Sequence, residues 1–261
     1  MSPEDLASVG LRLDVRGPVA TVVLDRPEVR NAQTPAMWQA LAGIGRTLPD
    51  DVRVVVITGA GESFSAGLDR AMLDPATPDE QSVVGLLSLS DEDASARIEE
   101  FQQGFTWLRD PRFVSIAKVR GYAIGAGFQL ALSCDLRVVA DDAKVSMKES
   151  ALGLVPDLTG TKPLVDHVGY ARALEICATA RMVGAEEAVA IGLATSSVPV
   201  ADLDDAVDTL VAALTAPMPG VVPETKALLQ GAADRDLDDQ RRLEREAQVR
   251  RFRAVAAALG G

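Results

Sequence analysis

The sequence predicts an α/β fold, and three features carry that prediction. β-Branched runs that end in glycine or a turn recur between residues 11 and 142. Stretches with helical apolar spacing lie between them, so helices are expected to pack on sheets. From about residue 161 the strands thin out and helical patterns take over.

Taken in order, "LRLDV" (11–15) and "PVATVVLDRP" (18–27) are predicted strands joined at Arg16-Gly17. "TPAMWQALAGIGRTL" (34–48) reads as a helix with Thr34 as N-cap and Pro35 at its first position. "VRVVVITG" (52–59) and "FVSIAKVRG" (113–121) are continuous apolar runs of the kind buried on both faces of a sheet, and "LRVVADD" (136–142) is a further strand. Helices are expected at roughly 92–109 and 126–134. The stretch 70–93 holds two prolines and many acids, and reads as a long loop with one helical turn, a type that often borders binding sites. Further helices are expected at 168–180, 184–194, 201–214, 219–233 and 236–259. In the last, Asp238 and Arg242, and Glu246 and Arg250, stand four apart in the favourable order. The division expected is a core over residues 1–200 and a helical region over 201–261.

Composition narrows the function. The chain has 261 residues, 48% apolar and 25% charged, which is ordinary for a globular protein with a full core. Its 26 Lys+Arg against 38 Asp+Glu give a net charge of −12 with no basic stripe, which argues against nucleic acid and anionic membranes. A phosphate-bearing ligand stays open, because local arginines and backbone N–H groups suffice for it. "MSPEDLASVG" lacks the apolar core of a signal peptide, no run of 18 apolar residues is present, and Cys134 and Cys177 read as buried free thiols; a cytoplasmic location is expected.

Several chemistries find no residues. There is one histidine, His167, at a predicted helix–helix corner, where a capping or surface role is expected, so neither a zinc cluster nor a Ser-His-Asp triad is expected. No dinucleotide or nucleoside-triphosphate glycine fingerprint is complete.

What the chain does carry is two loop-to-helix junctions. One is "ITGAGESFSAGLDRAML" (57–73); the other is "GYAIGAGFQLALSCDL" (121–136). Each presents backbone N–H groups beside small side chains, the arrangement that holds a developing oxyanion, and two such junctions suggest a paired hole. Near them in sequence, Glu149 and Asp157 flank "ALGLVP"; a carboxylate beside an oxyanion hole is the minimum for moving a proton next to a carbonyl, although both acids are also open to surface or capping roles.

Together these motifs resemble the enoyl-CoA hydratase/isomerase (crotonase) superfamily. The resemblance runs from about residue 11 to 215 through "TVVLDRPEVRNA", "VVVITGAGESFSAGLD", "AKVRGYAIGAGFQLALSCDLRVVADDAKVSMKE", "GLVPDLTGT" and "GAEEAVAIGLATSSVPVADLDDAV". It implies a spiral of ββα units, a C-terminal helical oligomerisation region, trimers or hexamers, an acyl-CoA substrate, and no cofactor beyond its CoA moiety. The N–H groups of Leu68 and Ala126 would form the oxyanion hole. Val29, Arg30, Ala66, Asp69 and Arg70 would contact CoA.

The chain departs from that pattern in three places. Hydratases of the family carry two glutamates; here the first position is Gln129, and only Glu149 remains. Asp157 stands where hydratases usually have Gly and where dienoyl-CoA isomerases carry an acid. The C-terminal segment lacks a motif many members share. The reading is an enzyme acting by hydration or double-bond shift, with Glu149 as principal acid/base, Asp157 as partner and Gln129 as orienter. An acyl-CoA-binding pseudoenzyme or regulatory subunit without turnover is the alternative. Leu86, Leu87, Leu89, Phe101, Phe105 and Trp107 are candidates for the acyl wall, equally explained as core.

Overall fold

The computed structural model describes residues 2–74 and 82–259. Helix α1 (Pro3–Ser8) opens on a capping box between Ser2 and Asp5. A hairpin of β1 (Leu11–Arg16) and β2 (Val19–Leu24) follows, then α2 (Pro35–Thr47), β3 (Val54–Gly59), the short α3 (Val83–Leu86), α4 (Asp91–Thr106) and β4 (Val114–Val119). Next come β5 (Tyr122–Ile124), α5 (Ala126–Ser133), β6 (Leu136–Ala140), β7 (Lys144–Ser146), α6 (Thr161–Val168), α7 (Tyr170–Thr179), β8 (Val183–Gly184), α8 (Ala185–Ala190) and β9 (Ser196–Val198). The chain ends in α9 (Leu203–Thr215), α10 (Val221–Leu229) and α11 (Leu237–Leu259). The acid-rich stretch 70–93 contributes a 3-10 turn at Arg70–Leu73, α3 and the first residues of α4; its residues 75–81 lie outside the described residues.

The larger sheet has the order β1-β2-β3-β4-β6-β9, antiparallel at β1/β2 and parallel elsewhere. A smaller sheet, β5-β7-β8, accounts for three short strands that the periodicity does not reveal, and β9 for a fourth. Two or three residues are too few to show a period. Strand β3 is buried along its whole length because it separates two apolar layers. Val55 and Ile57 face the main core, and Val54 and Val56 face a second cluster under Leu203 and Val207 of α9. In the main core Trp38 of α2 meets Phe101 and Phe105 of α4, with ring centroids at 5.2 and 6.0 Å.

The C-terminal helices are tied to the sheet by a buried cation. Lys226 of α10 pairs with Asp135 at 2.7 Å and donates to the carbonyls of Asp110 and Phe113. The charge pairs of α11 differ from those expected. Arg242 binds Asp239 and Glu246, Asp238 pairs with Arg241, and Arg250 reaches across to Glu224 of α10. Contact between the two helices offers Arg250 a bidentate partner that spacing along one helix does not show. Cys134 is buried as expected, whereas Cys177 is only partly so.

His167 also differs from expectation. It is half-buried in the last turn of α6, and the buried Arg137 donates to its Nε2 at 2.8 Å. Arginine has no acceptor, so the ring is held neutral with its proton on Nδ1. Burial first, then the nearby Arg137 and Arg109, depress its pKa to about 4. The folded protein therefore resists a proton that the unfolded chain accepts below about pH 6.5, so stability falls as pH falls through that window. Water at the exposed side of the ring screens part of this effect, so the contribution lost by pH 5 is on the order of 1 kcal/mol. We expect melting curves between pH 7 and 5 to show this loss and His167→Gln to flatten it; an equal pH slope in the variant would refute the assignment.

Candidate active site

Backbone pairing builds the site. Phe64 N–H donates to Arg120 O, Ser65 N–H to Tyr122 O, and Ile124 N–H to Ser65 O, at 2.8–3.0 Å. These bonds lay the segment after β3 alongside the one that leads into α5, so the two glycine-rich junctions adjoin. The approach leaves no room for side chains. A Cβ on Gly67, whose φ is +87°, would sit 2.4 Å from Ile124 O, and one on Gly121 would sit 2.1 Å from Glu62 O.

Both proposed donors have their N–H groups turned away from the pairing bonds. Gln33 and Leu68 form a parallel bridge whose bonds run from Gln33 N–H to Gly67 O and from Asp69 N–H to Gln33 O. Alternation along an extended segment then points the Leu68 N–H to the other side. Ala126 is the first residue of α5, where no intrahelical acceptor exists for its N–H. The Gly67 Cβ position lies 3.5 Å from Ala126 N, so the residue before Leu68 abuts the start of α5.

The smaller sheet delivers the acid. β5 pairs with β7 so that Ile124 faces Ser146, and Gly125 N–H donates to Ser146 O at 2.8 Å. The chain then turns through a 3-10 segment, Glu149–Leu152, and Glu149 arrives beside the start of α5. Its carboxylate oxygens lie 3.4 and 3.9 Å from the Gly125 Cβ position.

Gln129, wholly buried, holds Glu149. Its Nε2 donates to Glu149 Oε1 at 2.7 Å, and its Oε1 accepts from Leu158 N–H at 2.9 Å and Gly160 N–H at 3.2 Å. Two backbone donors fix which end of the amide is oxygen, so the amine end must face the carboxylate. Glu149 Oε2 has no hydrogen-bond partner among the described residues. Burial raises the Glu149 pKa, the Gln129 bond opposes that rise, and the Asp157 charge adds to it.

These groups line a cleft of about 770 Å³. Ala66, Leu68, Ala126, Gln129, Glu149, Asp157, Arg30 and Arg70 all border it. Asp157 is at its exposed rim, and it does not cap α6, whose N-cap is Gly160. Burial within the cleft wall raises the Asp157 pKa, although water at the rim tempers the effect. Val29 and Asp69 are not among the lining residues: Val29 is exposed, and Asp69 pairs with Arg26 at 2.9 Å and caps the 3-10 turn through Ala71 N–H. Of the apolar candidates, Leu86 and Phe101 line the cleft, while Leu87 and Leu89 are exposed and Phe105 is core.

Three buried polar residues that do not line the cleft brace the segments that do, and sequence reasoning missed them. Asn31, Gln33 and Ser65 are wholly buried. Asn31 Nδ2 donates to Ala60 O and Ser63 O, and Ser65 Oγ donates to Asn31 O and accepts from Gly67 N–H and Gln33 Nε2. Trp38 Nε1 donates to Gln33 Oε1 at 2.8 Å. A polar residue inside "RNAQT", where burial is not evident, was the available signal.

Comparison with known proteins finds relatives along most of the chain. The family model described as enoyl-CoA hydratase/isomerase matches residues 14–257. A carnitinyl-CoA dehydratase of Salmonella arizonae is 32% identical over 95% of this chain and 90% of its own. A peroxisomal Δ(3,5)-Δ(2,4)-dienoyl-CoA isomerase of Arabidopsis thaliana is 30% identical over 84% of this chain and 80% of its own. Crystal structures of a Thermobifida fusca protein, provisionally assigned as an enoyl-CoA hydratase, superpose with a TM-score of 0.93 at 50% identity. The complex with CoA covers 98% of both chains, and that with acetoacetyl-CoA covers 97% of this chain and 98% of that one.

Because the folded state disfavours ionised Glu149, its contribution to stability is lost as pH rises through its raised pKa. Glu149→Gln removes the charge and keeps an acceptor for Gln129. We expect the variant to melt above the parent at pH 8, with the gap closing below about pH 4, where both side chains are neutral. A lower melting point at pH 8 would contradict this electrostatic account.

Proposed function

The chain belongs to the enoyl-CoA hydratase/isomerase family, and on that premise we propose that it shifts a carbon–carbon double bond in an unsaturated acyl-CoA, with Glu149 as the proton carrier. The observation that carries this reading is the division of labour at one carboxylate of the cleft wall: Oε1 is occupied by Gln129, and the buried Oε2 has no hydrogen-bond partner among the described residues.

The ligand class fits the shape of the site. A groove of about 500 Å³ bordered by Arg30, Arg120 and Lys144, and also by Glu62 and Asp142, shares Arg30 and Tyr122 with the main cleft. Phosphates of CoA suit its three cations, which outnumber its two acids in a protein of net negative charge. The apolar inner cleft suits the acyl group. The thioester oxygen then accepts from Leu68 and Ala126, which lowers the cost of the enolate.

The proposed steps conserve every atom. Oε2 takes a proton from C2 of a 3-enoyl thioester, and the electron pair delocalises onto the thioester oxygen on one side and, through the double bond, onto C4 on the other. Oε2 then returns the proton at C4, leaving the double bond between C2 and C3. Burial keeps the base closer to neutral pH than a free carboxylate, which favours both taking and returning a proton. Adding water calls for a second group to accept its proton, and the Gln129 amide cannot do so: its oxygen is engaged by two backbone N–H groups and its nitrogen only donates. Asp157, which borders the same cleft, would be the second acid, exchanging a proton with a conjugated substrate that extends past it.

The test is turnover of 2-enoyl-, 3-enoyl- and dienoyl-CoA esters in ¹⁸O-water. The expected product is a rearranged ester without ¹⁸O, and kcat/KM should rise with pH as Glu149 ionises. Glu149→Gln should lower turnover by about 10²–10⁴-fold or more while ester binding survives. A hydroxyacyl product carrying ¹⁸O would refute the double-bond shift, and full activity in the variant would refute the role of Glu149.

A further inference from the structure

Resting on the acyl-CoA reading, we infer that Trp38 is the end stop of the acyl tract and sets the longest chain the cleft takes in. The cleft lining grades from rim to floor. Leu152 is 59% exposed and Val155 75%, whereas Trp38 is 5% exposed and Phe101 3%. A thioester with its oxygen at Leu68 and Ala126, and its CoA leaving past Arg30, has its acyl group directed into the apolar interior that these two rings close.

The stop is rigid. The indole ring is packed against Phe101 and Phe105, and its N–H is held by Gln33. Behind it, a Cβ on Gly104 of α4 would sit 2.5 Å from Trp38 O, so backbone meets backbone and neither helix has slack. Gln33 also donates its N–H to Gly67 O and accepts from Asp69 N–H, the bonds that flank Leu68. One residue thus bears on both the stop and the oxyanion donor. Their separation is fixed, and with it the number of carbons between them.

Calorimetric titration of the full chain with saturated CoA esters, from acetyl to dodecanoyl, tests this. These esters lack the double bond, so the experiment reads the cleft and not the chemistry. Affinity should rise about fourfold per added methylene until the chain meets Trp38, then cease to rise. Trp38→Ala opens a cavity on the order of 150 Å³, enough to move that break by roughly four carbons. Trp38→Phe keeps an aromatic core, should move the break less in the same direction, and serves if the alanine variant does not fold. Affinity that climbs without a break in the parent, or a break at the same length in a folded variant, overturns the inference while the acyl-CoA reading stands. Failure of every ester to bind overturns both.

Discussion

The site rests on the close approach of two backbone segments. Residues 64–68 and 120–124 are joined edge to edge by main-chain hydrogen bonds, outside either regular sheet's interior. That contact aligns two N–H groups from parts of the chain nearly sixty residues apart. It also explains the bare stretches in the sequence: any side chain at Gly67 or Gly121 would collide with a carbonyl oxygen. Backbone donors held this way need no reorganisation when charge develops on a bound oxygen.

Around this frame, the cleft is electrostatically economical. In a strongly acidic protein, three cations outnumber two acids in the groove at one end, and the adjoining cleft is lined mainly by apolar side chains. At the junction of the two sits one buried carboxylate whose partners are an amide and, more distantly, a second acid. Glu149 is destabilised as a charge by its burial, which raises its pKa, the kind of perturbation that suits the proton-carrying role proposed for it. The stability of the fold is traded locally for that readiness.

The sequence made the regular layers legible, because β3, β4 and β6 are long β-branched runs and the helices have clear apolar stripes. It also pointed to Gln129, Glu149 and the two glycine junctions, since their residue types are unusual for their setting. Legibility failed where long-range contact decides. Strands β5, β7, β8 and β9 are too short to show a period, yet β5 and β7 set the register that brings Glu149 to α5. Asn31, Gln33 and Ser65 look like ordinary polar loop residues until the fold buries them together. Asp69, next to the site in sequence, is turned to Arg26 instead. His167, which reads as a corner residue, is partnered by an arginine thirty positions away.

The Gln129 amide has an evolutionary consequence. Its oxygen is what Leu158 and Gly160 grip, and a glutamate has an oxygen in the same position. The codons for the two amino acids differ by a single base. The backbone that holds position 129 is therefore compatible with either side chain, and a lineage can cross between a one-carboxylate and a two-carboxylate site without rebuilding its scaffold. Diversity of reaction within such a fold requires little structural novelty when the variable atom is one the frame does not hold.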